Sequence, residues 1–339
     1  MEVSPLQPQA TAVSLQLMPL LGAVLYSAGA ALATIAPALP TLLPLLFELA
    51  QRPLLLPPHT AVATPLTASP PPHPATTCAL KSIAALLNAM PDDALLHQYL
   101  SHVVTSTTSS SSDGGNLPPP VASVVVDAGY PLPRRLAALQ VYLHATKAIV
   151  LRAHATTVPV VFTFLWSLLS SEELKLHVAH GFELVLDDWT DVLTAASHAL
   201  ISPVHRQRTF SLLFPLLTTK ENMEKRVVTL LVVAHTPHAI LLPHVLDIVP
   251  LVVDALNLKE PPYAALLGHP ALVTFEVRFH AVKDRLRALG CLASLAKIKY
   301  ELIHPHKERV IKGLLAALDD RKRTVRQAAV KVRNQWSIL

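Results

Sequence analysis

In the last stretch of the chain, residues 303–339, apolar and charged positions alternate with the period of an α-helix. This pattern predicts two amphipathic helices that meet at Asp319 and Asp320, where either carboxylate is suited to cap the second helix by accepting its free backbone N–H groups. The apolar stripe of the first predicted helix consists of Val310, Leu314, Leu315 and Leu318. That of the second consists of Val325, Ala328, Ala329, Val332 and Trp336, and its opposite face carries Lys322, Arg323, Arg326 and Arg333. Because such a pair cannot bury its apolar stripes alone, it predicts a neighbour built in the same way.

Similar helix–turn–helix patterns precede this pair. Four segments each join the double-hydrophobic end of one helix to a short polar turn that opens the next, and these are residues 168–173, 216–221, 255–260 and 317–322. Ser170 with Glu173, and Thr218 with Glu221, have the spacing of a capping box. The segments recur near the period of roughly 40–47 residues that HEAT and armadillo arrays show, with insertions. The sequence therefore predicts an all-α fold, a HEAT/armadillo-like α-solenoid of stacked antiparallel helix pairs.

Composition divides the chain into four regions. We predict an apolar, proline-rich helical segment and linker at residues 1–75, a helix pair at 76–104, a disordered Ser/Thr/Pro loop at 105–120 and the C-terminal HEAT-repeat domain at 121–339. Within these regions helices are predicted at Thr77–Met90, from Asp92 or Asp93 to His102, and at Pro131–Ala153. Residues 3–47 carry no Asp, Glu, Lys or Arg, so a membrane or signal segment is an alternative there to buried core helices.

Basic residues are concentrated at the C-terminal end. The chain carries a net charge of +5, but residues 278–339 hold 15 Lys/Arg and 5 Asp/Glu, a net +10. Such an end suits an acidic partner or nucleic acid, or it is a solvated helical face. Aromatic residues that would stack on bases do not interleave with the basic ones, which disfavours nucleic acid.

Arg206 and Arg208 flank Gln207 at the start of another predicted amphipathic helix. The apolar residues Phe210, Leu213 and Phe214 follow at helical spacing. The two arginines form either a solvated basic edge or a contact surface for an acidic partner.

Seventeen histidines raise the question of a metal site. Three pairs lie close in sequence, namely His177 with His180, His235 with His238, and His304 with His306. None of them has a third ligand at a recognisable spacing, and no H-E-x-x-H motif is present. The sequence therefore predicts no metal site.

The remaining candidates for chemistry are also weak. Asp187, Asp188 and Asp191 lie at a predicted helix end without a nucleophile signature, so they are expected to cap. Cys78 and Cys291 are far apart in helical patterns and are expected to be small buried residues, which disfavours a disulfide framework or a bound iron–sulfur cluster. Phosphate-binding glycine motifs are absent from the sequence. We therefore expect neither an enzyme nor a cofactor.

Two stretches resemble the Mms-nineteen nucleotide excision repair and transcription protein family. Residues 181–210, GFELVLDDWTDVLTAASHALISPVHRQRTF, are similar to its GF…D…DVL…H…RQR-F pattern. Residues 306–336, HKERVIKGLLAALDDRKRTVRQAAVKVRNQW, resemble its C-terminal repeat with an LDD-K/R-KR-x-VR-x-A motif and a closing tryptophan. Residues 77–100 resemble an earlier helix pair more weakly. Because family members are longer, the chain corresponds to their C-terminal region.

The resemblance implies a non-enzymatic scaffold of the cytosolic iron–sulfur protein assembly targeting complex, active in cytoplasm and nucleus. The implied partners are a MIP-eighteen-type small assembly factor, a β-propeller assembly protein and apo iron–sulfur clients such as DNA helicases, polymerases and primase. No cofactor, direct nucleic-acid contact or membrane is implied, because the cluster is carried elsewhere. The alternative is a HEAT-repeat nucleic-acid- or chromatin-associated protein that uses the basic C-terminal helix.

The residues expected to contact a protein partner are Arg323, Arg326 and Arg333, with Asp319 and Asp320 holding the turn. A second contact is expected at Arg206 and Arg208. The structural alternative is a ladder of Asp–Arg pairs between adjacent repeats, which would use the same side chains for internal packing.

Overall fold

The computed structural model describes residues 74–89, 120–152, 157–186, 206–215, 223–256 and 270–339, together with the helical positions Leu43, Leu46, Phe47, Ala50, Leu96, Tyr99, Leu100 and Val103. All regular elements in these ranges are helices, which confirms the all-α prediction for the part described. Several predictions lie outside it: most of regions 1–75 and 105–120, the caps at Asp92 and Asp93, the Thr218–Glu221 box and the Asp187 cluster. The chain divides into two compact units, Met1–Ile201 and Ser202–Leu339.

The first unit is built around one long helix. Its described helices are α1 (Pro74–Ala89), α2 (Val121–Val126), α3 (Leu132–Arg152), α4 (Thr157–Leu168) and α5 (Lys175–Leu186). Helix α3 contacts each of the other four, and Leu139, Tyr142 and Leu143 on it are fully buried. The predictions of helices at residues 77–90 and 131–153 are therefore confirmed to within three residues at each end.

Polar side chains of α3 bind the ends of its neighbours. Lys147 is fully buried and its Nζ donates to the Val185 carbonyl at 2.9 Å, where the last turn of α5 leaves carbonyls without intrahelical partners. Arg135 donates from Nε to the Val125 carbonyl at 3.0 Å and from Nη1 to the Glu173 carboxylate. These bonds satisfy groups that would be costly to bury unpaired.

The capping box predicted at Ser170 and Glu173 is wrong. Helix α5 begins at Lys175, so Ser170 lies too early to be its N-cap. The carboxylate of Glu173 pairs instead with Arg135, because the buried guanidinium gains more from a counter-charge than an exposed backbone N–H gains from a cap.

The second unit contains the remaining described helices. They are α6 (206–215), α7 (Met223–His235), α8 (His238–Leu241), α9 (Val245–Leu256), α10 (Pro270–Leu295), α11 (Tyr300–Ile303), α12 (Lys307–Leu318) and α13 (Arg323–Ile338). Single 3₁₀ turns at Leu242–His244 and His304–His306 precede α9 and α12. Helix α10 packs on α7, α9 and α13, while α9 also packs on α7 and α12, and α12 packs on α13.

One helical run in the described ranges, His238–Leu256, is long and apolar enough to cross a membrane by length and composition, with a hydropathy of 1.9. It is interrupted by the 3₁₀ turn and contains Pro250 within α9. Most apolar side chains of α9 are buried, and the helix packs on α7, α10 and α12, which is what a core helix does; Leu246 is 64% exposed. The predicted alternative at residues 3–47 lies almost wholly outside the described residues.

The apolar stripes of the last helix pair are nearly as predicted. In α13, Val325, Ala329, Val332 and Trp336 are buried and Ala328 is half-buried. In α12, Val310 and Leu314 are buried and Leu318 is half-buried, but Leu315 is 55% exposed. Ala317 completes the buried stripe instead, because a residue seven after Val310 returns to its face while one five after it does not.

Candidate protein-binding surface

The last helix presents a continuous basic surface. From Arg321 to Leu339 the sequence has six basic residues and no acidic one. All six are exposed, two in the turn before α13 and four on the helix itself. We call this surface the basic face, and it consists of Arg321, Lys322, Arg323, Arg326, Lys331 and Arg333.

The basic face is held in place by the opposite, apolar side of α13. The side chain of Trp336 is fully buried, and its Nε1 donates to the Leu292 carbonyl of α10 at 2.9 Å. At the other side, Nζ of Lys307 donates to the Ser337 carbonyl at 2.9 Å. This bond joins the start of α12 to the end of α13, so the two helices run antiparallel.

Asp320 is the centre of the turn between these helices. Its Oδ2 lies 2.8 Å from Nε of Arg285 in α10, and both side chains are about nine-tenths buried. Its Oδ1 accepts the backbone N–H of Lys322 at 2.8 Å. Its carbonyl accepts Nη1 of Arg326 at 2.6 Å, and the same nitrogen donates to the Arg321 carbonyl at 3.1 Å. The turn is therefore held by the ion pair with Arg285 and by hydrogen bonds from Lys322 and Arg326.

Neither aspartate is the N-cap of α13, so that prediction is wrong. The N-cap position is occupied by Lys322, and no side chain caps the helix there. Asp319 is the C-cap of α12 and is exposed. The carboxylate of Asp320 binds Arg285 and the N–H of Lys322, and Asp320 lies two positions before the N-cap, too early to cap the first helical turn.

The predicted contact residues thus fall into two groups. Asp320 pairs with Arg285 of another helix, which is the kind of Asp–Arg pair that the ladder alternative describes, while Arg326 donates to backbone carbonyls of its own turn. Arg323 and Arg333 are exposed, and their side chains make no hydrogen bond or ion pair to any residue that the structure describes. The geometry leaves these two available to a partner.

Arg206 is used within the second unit. It is half-buried and its Nη1 donates to the carbonyl of His235, the last residue of α7. Arg208, two residues later in the same helix, is also half-buried. The predicted amphipathic character of this helix is confirmed, because Phe210 and Leu213 are buried.

An aromatic contact packs α6 against the turn before α9. The rings of Phe210 and Phe214 stack at 5.0 Å between centroids. The His244 ring lies tilted at 5.2 Å from the first and 4.3 Å from the second.

Two features of the basic face were not predicted from the sequence. Lys331 belongs to it, and two aliphatic residues of the same helix are exposed, Val330 next to Lys331 at 47% and Ile338, five residues after Arg333, at 87%. The exposure of Val330 and Ile338 could have been predicted from the helical period, since both positions fall opposite the buried stripe of Val325 and Val332. Exposed aliphatic groups between charges are typical of protein interfaces.

The described residues contain no group of three His, Cys, Asp or Glu side chains that would hold a metal. Cys291 is buried, as predicted, and its thiol donates to the Leu230 carbonyl at 3.5 Å. Burial raises the pKa of this thiol to about 12, against a smaller opposite effect of Arg287. It therefore stays protonated at neutral pH and is a poor nucleophile or ligand.

Comparison with known proteins gives consistent matches. The family model described as RNAPII transcription regulator C-terminal matches residues 2–333. Proteins of mouse and human, both called MMS19 nucleotide excision repair protein homolog, are 31% identical to the chain over 293 residues, which is 78% of the chain and 26% of each relative. A Dictyostelium discoideum protein of the same name is 27% identical over 255 residues, 64% of the chain and 23% of that relative. The chain spans about a quarter of the length of these curated relatives.

Proposed function

Because the chain belongs to the MMS19 family, we propose that it is a non-enzymatic scaffold of the cytosolic iron–sulfur protein assembly targeting complex. In this role it links the assembly machinery to apo-clients such as DNA repair and replication enzymes. The family description and the names of the relatives support the coarser statement, a role in nucleotide excision repair and transcription. Repair enzymes that need iron–sulfur clusters would connect the proposed role in cluster assembly with the role in nucleotide excision repair.

The scaffold is proposed to be a HEAT-type solenoid. In the second unit, α10 contacts α7 on one side and α13 on the other, and α9 contacts α12. This succession supports two layers of helices, with α12 and α13 as one antiparallel pair of the stack. A solenoid of this kind offers an extended surface and needs no enclosed active site.

The observation that carries the proposal is the basic face of α13. Arg323 and Arg333 are exposed cations of the helix, while Val330 adds exposed apolar area between them and Ile338 adds it beyond Arg333. Because no acidic residue follows Asp320, an incoming acidic surface meets no like charge on this helix. Charge complementarity of this type sets the orientation and speed of docking.

The partner proposed for this face is the MIP-eighteen-type small assembly factor, through an acidic patch with an apolar centre. The β-propeller assembly protein and the apo-clients, among them DNA helicases, polymerases and primase, are proposed to join the same complex. The proposed sites of action are the cytoplasm and the nucleus.

The proposal is tested by a pull-down of the purified small assembly factor with the full chain. We expect the wild-type chain to retain the factor. The double variant Arg323→Glu/Arg333→Glu should lose at least about tenfold in affinity, because it places two like charges opposite an acidic surface. Circular dichroism and thermal melting should show the variant folded, since neither side chain has a partner among the described residues.

The matched control is Lys297→Glu/Lys299→Glu. It makes the same change of charge at two exposed lysines in the turn between α10 and α11, which do not belong to the basic face. This control should still retain the factor. The proposal fails if the wild-type chain does not bind the factor, or if the control loses as much affinity as the basic-face variant.

A second candidate is a nucleic-acid- or chromatin-associated protein, which is favoured by the six cations of the basic face, since no acidic residue occurs from Arg321 to Leu339. Phosphate binding would weaken steeply with salt, with a slope of log K against log salt near about −5 if six phosphates are neutralised on duplex DNA. The scaffold proposal instead expects weak, shallow binding to DNA. A steep slope that Arg323→Glu/Arg333→Glu reduces would favour the second candidate.

A further inference from the structure

A run of three consecutive basic residues, Arg321, Lys322 and Arg323, directly precedes Thr324. It is the longest basic run in the sequence, and no other serine or threonine follows such a run. Thr324 is exposed, and Val325 follows it. Basic residues immediately before a hydroxyl, with an aliphatic residue after it, are the pattern that basic-directed serine/threonine kinases bind with their acidic substrate grooves.

Another threonine of the chain has a similar sequence context but a different environment. Thr209 follows Arg206 and Arg208 at the same two distances that separate Thr324 from Arg321 and Arg323. Its side chain is 1% exposed within α6. The structure therefore distinguishes two threonines whose sequence contexts are similar. Of these two, only Thr324 has a hydroxyl that an enzyme can reach.

We propose that Thr324 is a phosphorylation site for a basic-directed serine/threonine kinase, and that the phosphate closes the basic face to acidic partners. In the reaction, Oγ1 of Thr324 attacks the γ-phosphorus of the kinase's Mg-ATP. The bond from that phosphorus to the β–γ bridging oxygen breaks, ADP leaves, and the hydroxyl proton passes to the kinase's base.

The backbone around Thr324 suits binding to a kinase. Lys322 is already extended, with φ −89° and ψ 122°, and α13 begins only at Arg323. The first turn is closed by bonds from the N–H groups of Val325 and Arg326 to the Lys322 carbonyl, at 3.1 and 3.2 Å. Because no side chain caps this turn, opening it costs less than opening a capped helix.

The phosphate is expected to be tolerated by the fold. Thr324 is the second residue of α13, where the helix dipole and free backbone N–H groups favour negative charge. The same phosphate adds a charge of about −1.5 to −2 directly after Arg321, Lys322 and Arg323 of the basic face. It therefore lowers the positive charge that an acidic partner meets without unfolding the helix.

This second half of the inference rests on the proposed function, while the modification itself does not. The first test incubates the folded full chain with Mg-ATP and the catalytic subunit of cAMP-dependent protein kinase, and maps the phosphate by mass spectrometry. We expect one phosphate at Thr324. The phosphate should be absent from Thr324→Val and present in the control Thr209→Val. In Arg321→Ala/Lys322→Ala it should be added at least about tenfold more slowly, because the acidic groove of the kinase then meets two fewer cations.

The assignment is overturned if the folded chain accepts no phosphate at Thr324 while a peptide of residues 318–330 does, since the helix then hides the hydroxyl. It is also overturned if the phosphate is found only elsewhere. The second test compares affinity for the purified small assembly factor before and after modification, with a loss of about tenfold expected. Equal affinity overturns the regulatory half. Failure of the unmodified chain to bind overturns the proposed function and leaves the phosphorylation site standing.

Discussion

At the scale of single residues, the pair of Arg285 and Asp320 decides whether the last turn is a structural joint or part of the docking surface. The two side chains are about nine-tenths buried and their charged atoms lie 2.8 Å apart. Asp320→Asn would leave the guanidinium buried without its counter-charge, which typically costs about 3–5 kcal/mol in the free energy of unfolding. Urea unfolding followed by circular dichroism measures this cost.

Two further variants sharpen the test. Replacing both partners, Arg285→Met/Asp320→Leu, should cost less than Asp320→Asn alone, because no charge is then left unpaired. Lys312→Gln removes the exposed pair with Glu308 and should leave the urea midpoint nearly unchanged, because solvent screens this pair. A loss below about 1 kcal/mol for Asp320→Asn would contradict the structural role and return Asp320 to the docking surface.

His144 makes the stability of the first unit depend on pH. Burial lowers the pKa of its imidazole to about 4, with a smaller contribution from Lys81 in the same direction, against a Gln140 hydrogen bond that raises it. Its Nδ1 lies 2.9 Å from the Gln140 carbonyl, which can only accept, so Nδ1 carries the proton of the neutral ring. The folded state therefore holds this histidine neutral where the unfolded state binds a proton.

The direction in which the free energy of unfolding changes with pH follows from that difference. The stability contributed by neutral His144 is complete above about pH 6.5 and is lost as the pH falls through the folded pKa of about 4. At about pH 5 the loss should be roughly 2 kcal/mol relative to about pH 7.5. His144→Leu should remove this part of the pH dependence in urea unfolding, and the exposed His304→Gln should not. An unchanged pH dependence in His144→Leu would show that other groups cause it.

At the scale of helices, Gly313 sets how closely α12 approaches α9. A Cβ at this position would lie 2.4 Å from Cγ1 of Val253, a stiff β-branched side chain in α9. Gly313→Ala should therefore destabilise the chain by about 1–2 kcal/mol, because overpacking outweighs the better helix propensity of alanine. Urea unfolding measures the change.

Gly290 provides the matched control within α10. It is exposed, and a Cβ there would meet nothing within 4 Å. Gly290→Ala should stabilise the chain by about 0.5–1 kcal/mol through helix propensity alone. If both variants changed stability in the same direction, the close approach of α12 to α9 would not be what selects glycine at residue 313.

The helices themselves could be predicted from the sequence because their burial follows a local period. The stripe from Val325 to Trp336 fixes which side of α13 faces the core, and the structure confirms it. Partners across long separations could not be predicted, because they depend on how whole helices pack. Trp336 donates to a carbonyl 44 residues away, and Glu173 accepts from an arginine 38 residues away.

The same limit applies to the candidate surface. The exposed positions of Arg323 and Arg333 follow from the period of α13, so they could be placed in advance. The internal use of Asp320 and Arg326 could not, because the burial of Asp320 depends on Arg285 from another helix. The docking role of the exposed arginines stays a prediction.

At the scale of the whole molecule, charge is divided between the two compact units. Met1–Ile201 contains 7 Lys/Arg and 12 Asp/Glu, a net −5, while Ser202–Leu339 contains 21 and 11, a net +10. A field of this size attracts an acidic partner from a distance beyond direct contact. It should therefore raise the rate of association more than it lowers the rate of dissociation.

We expect the association rate with the small assembly factor to fall about tenfold between roughly 50 mM and 500 mM salt, while the dissociation rate changes little, because salt screens long-range attraction far more than packed contacts. Stopped-flow or biosensor kinetics separate the two rates. Lys297→Glu/Lys299→Glu, which lowers the net charge at residues outside the basic face, should slow association modestly and leave dissociation unchanged. If salt acted on dissociation alone, attraction at long range would contribute nothing, and binding would depend on the local contacts of Arg323, Arg333 and their apolar neighbours.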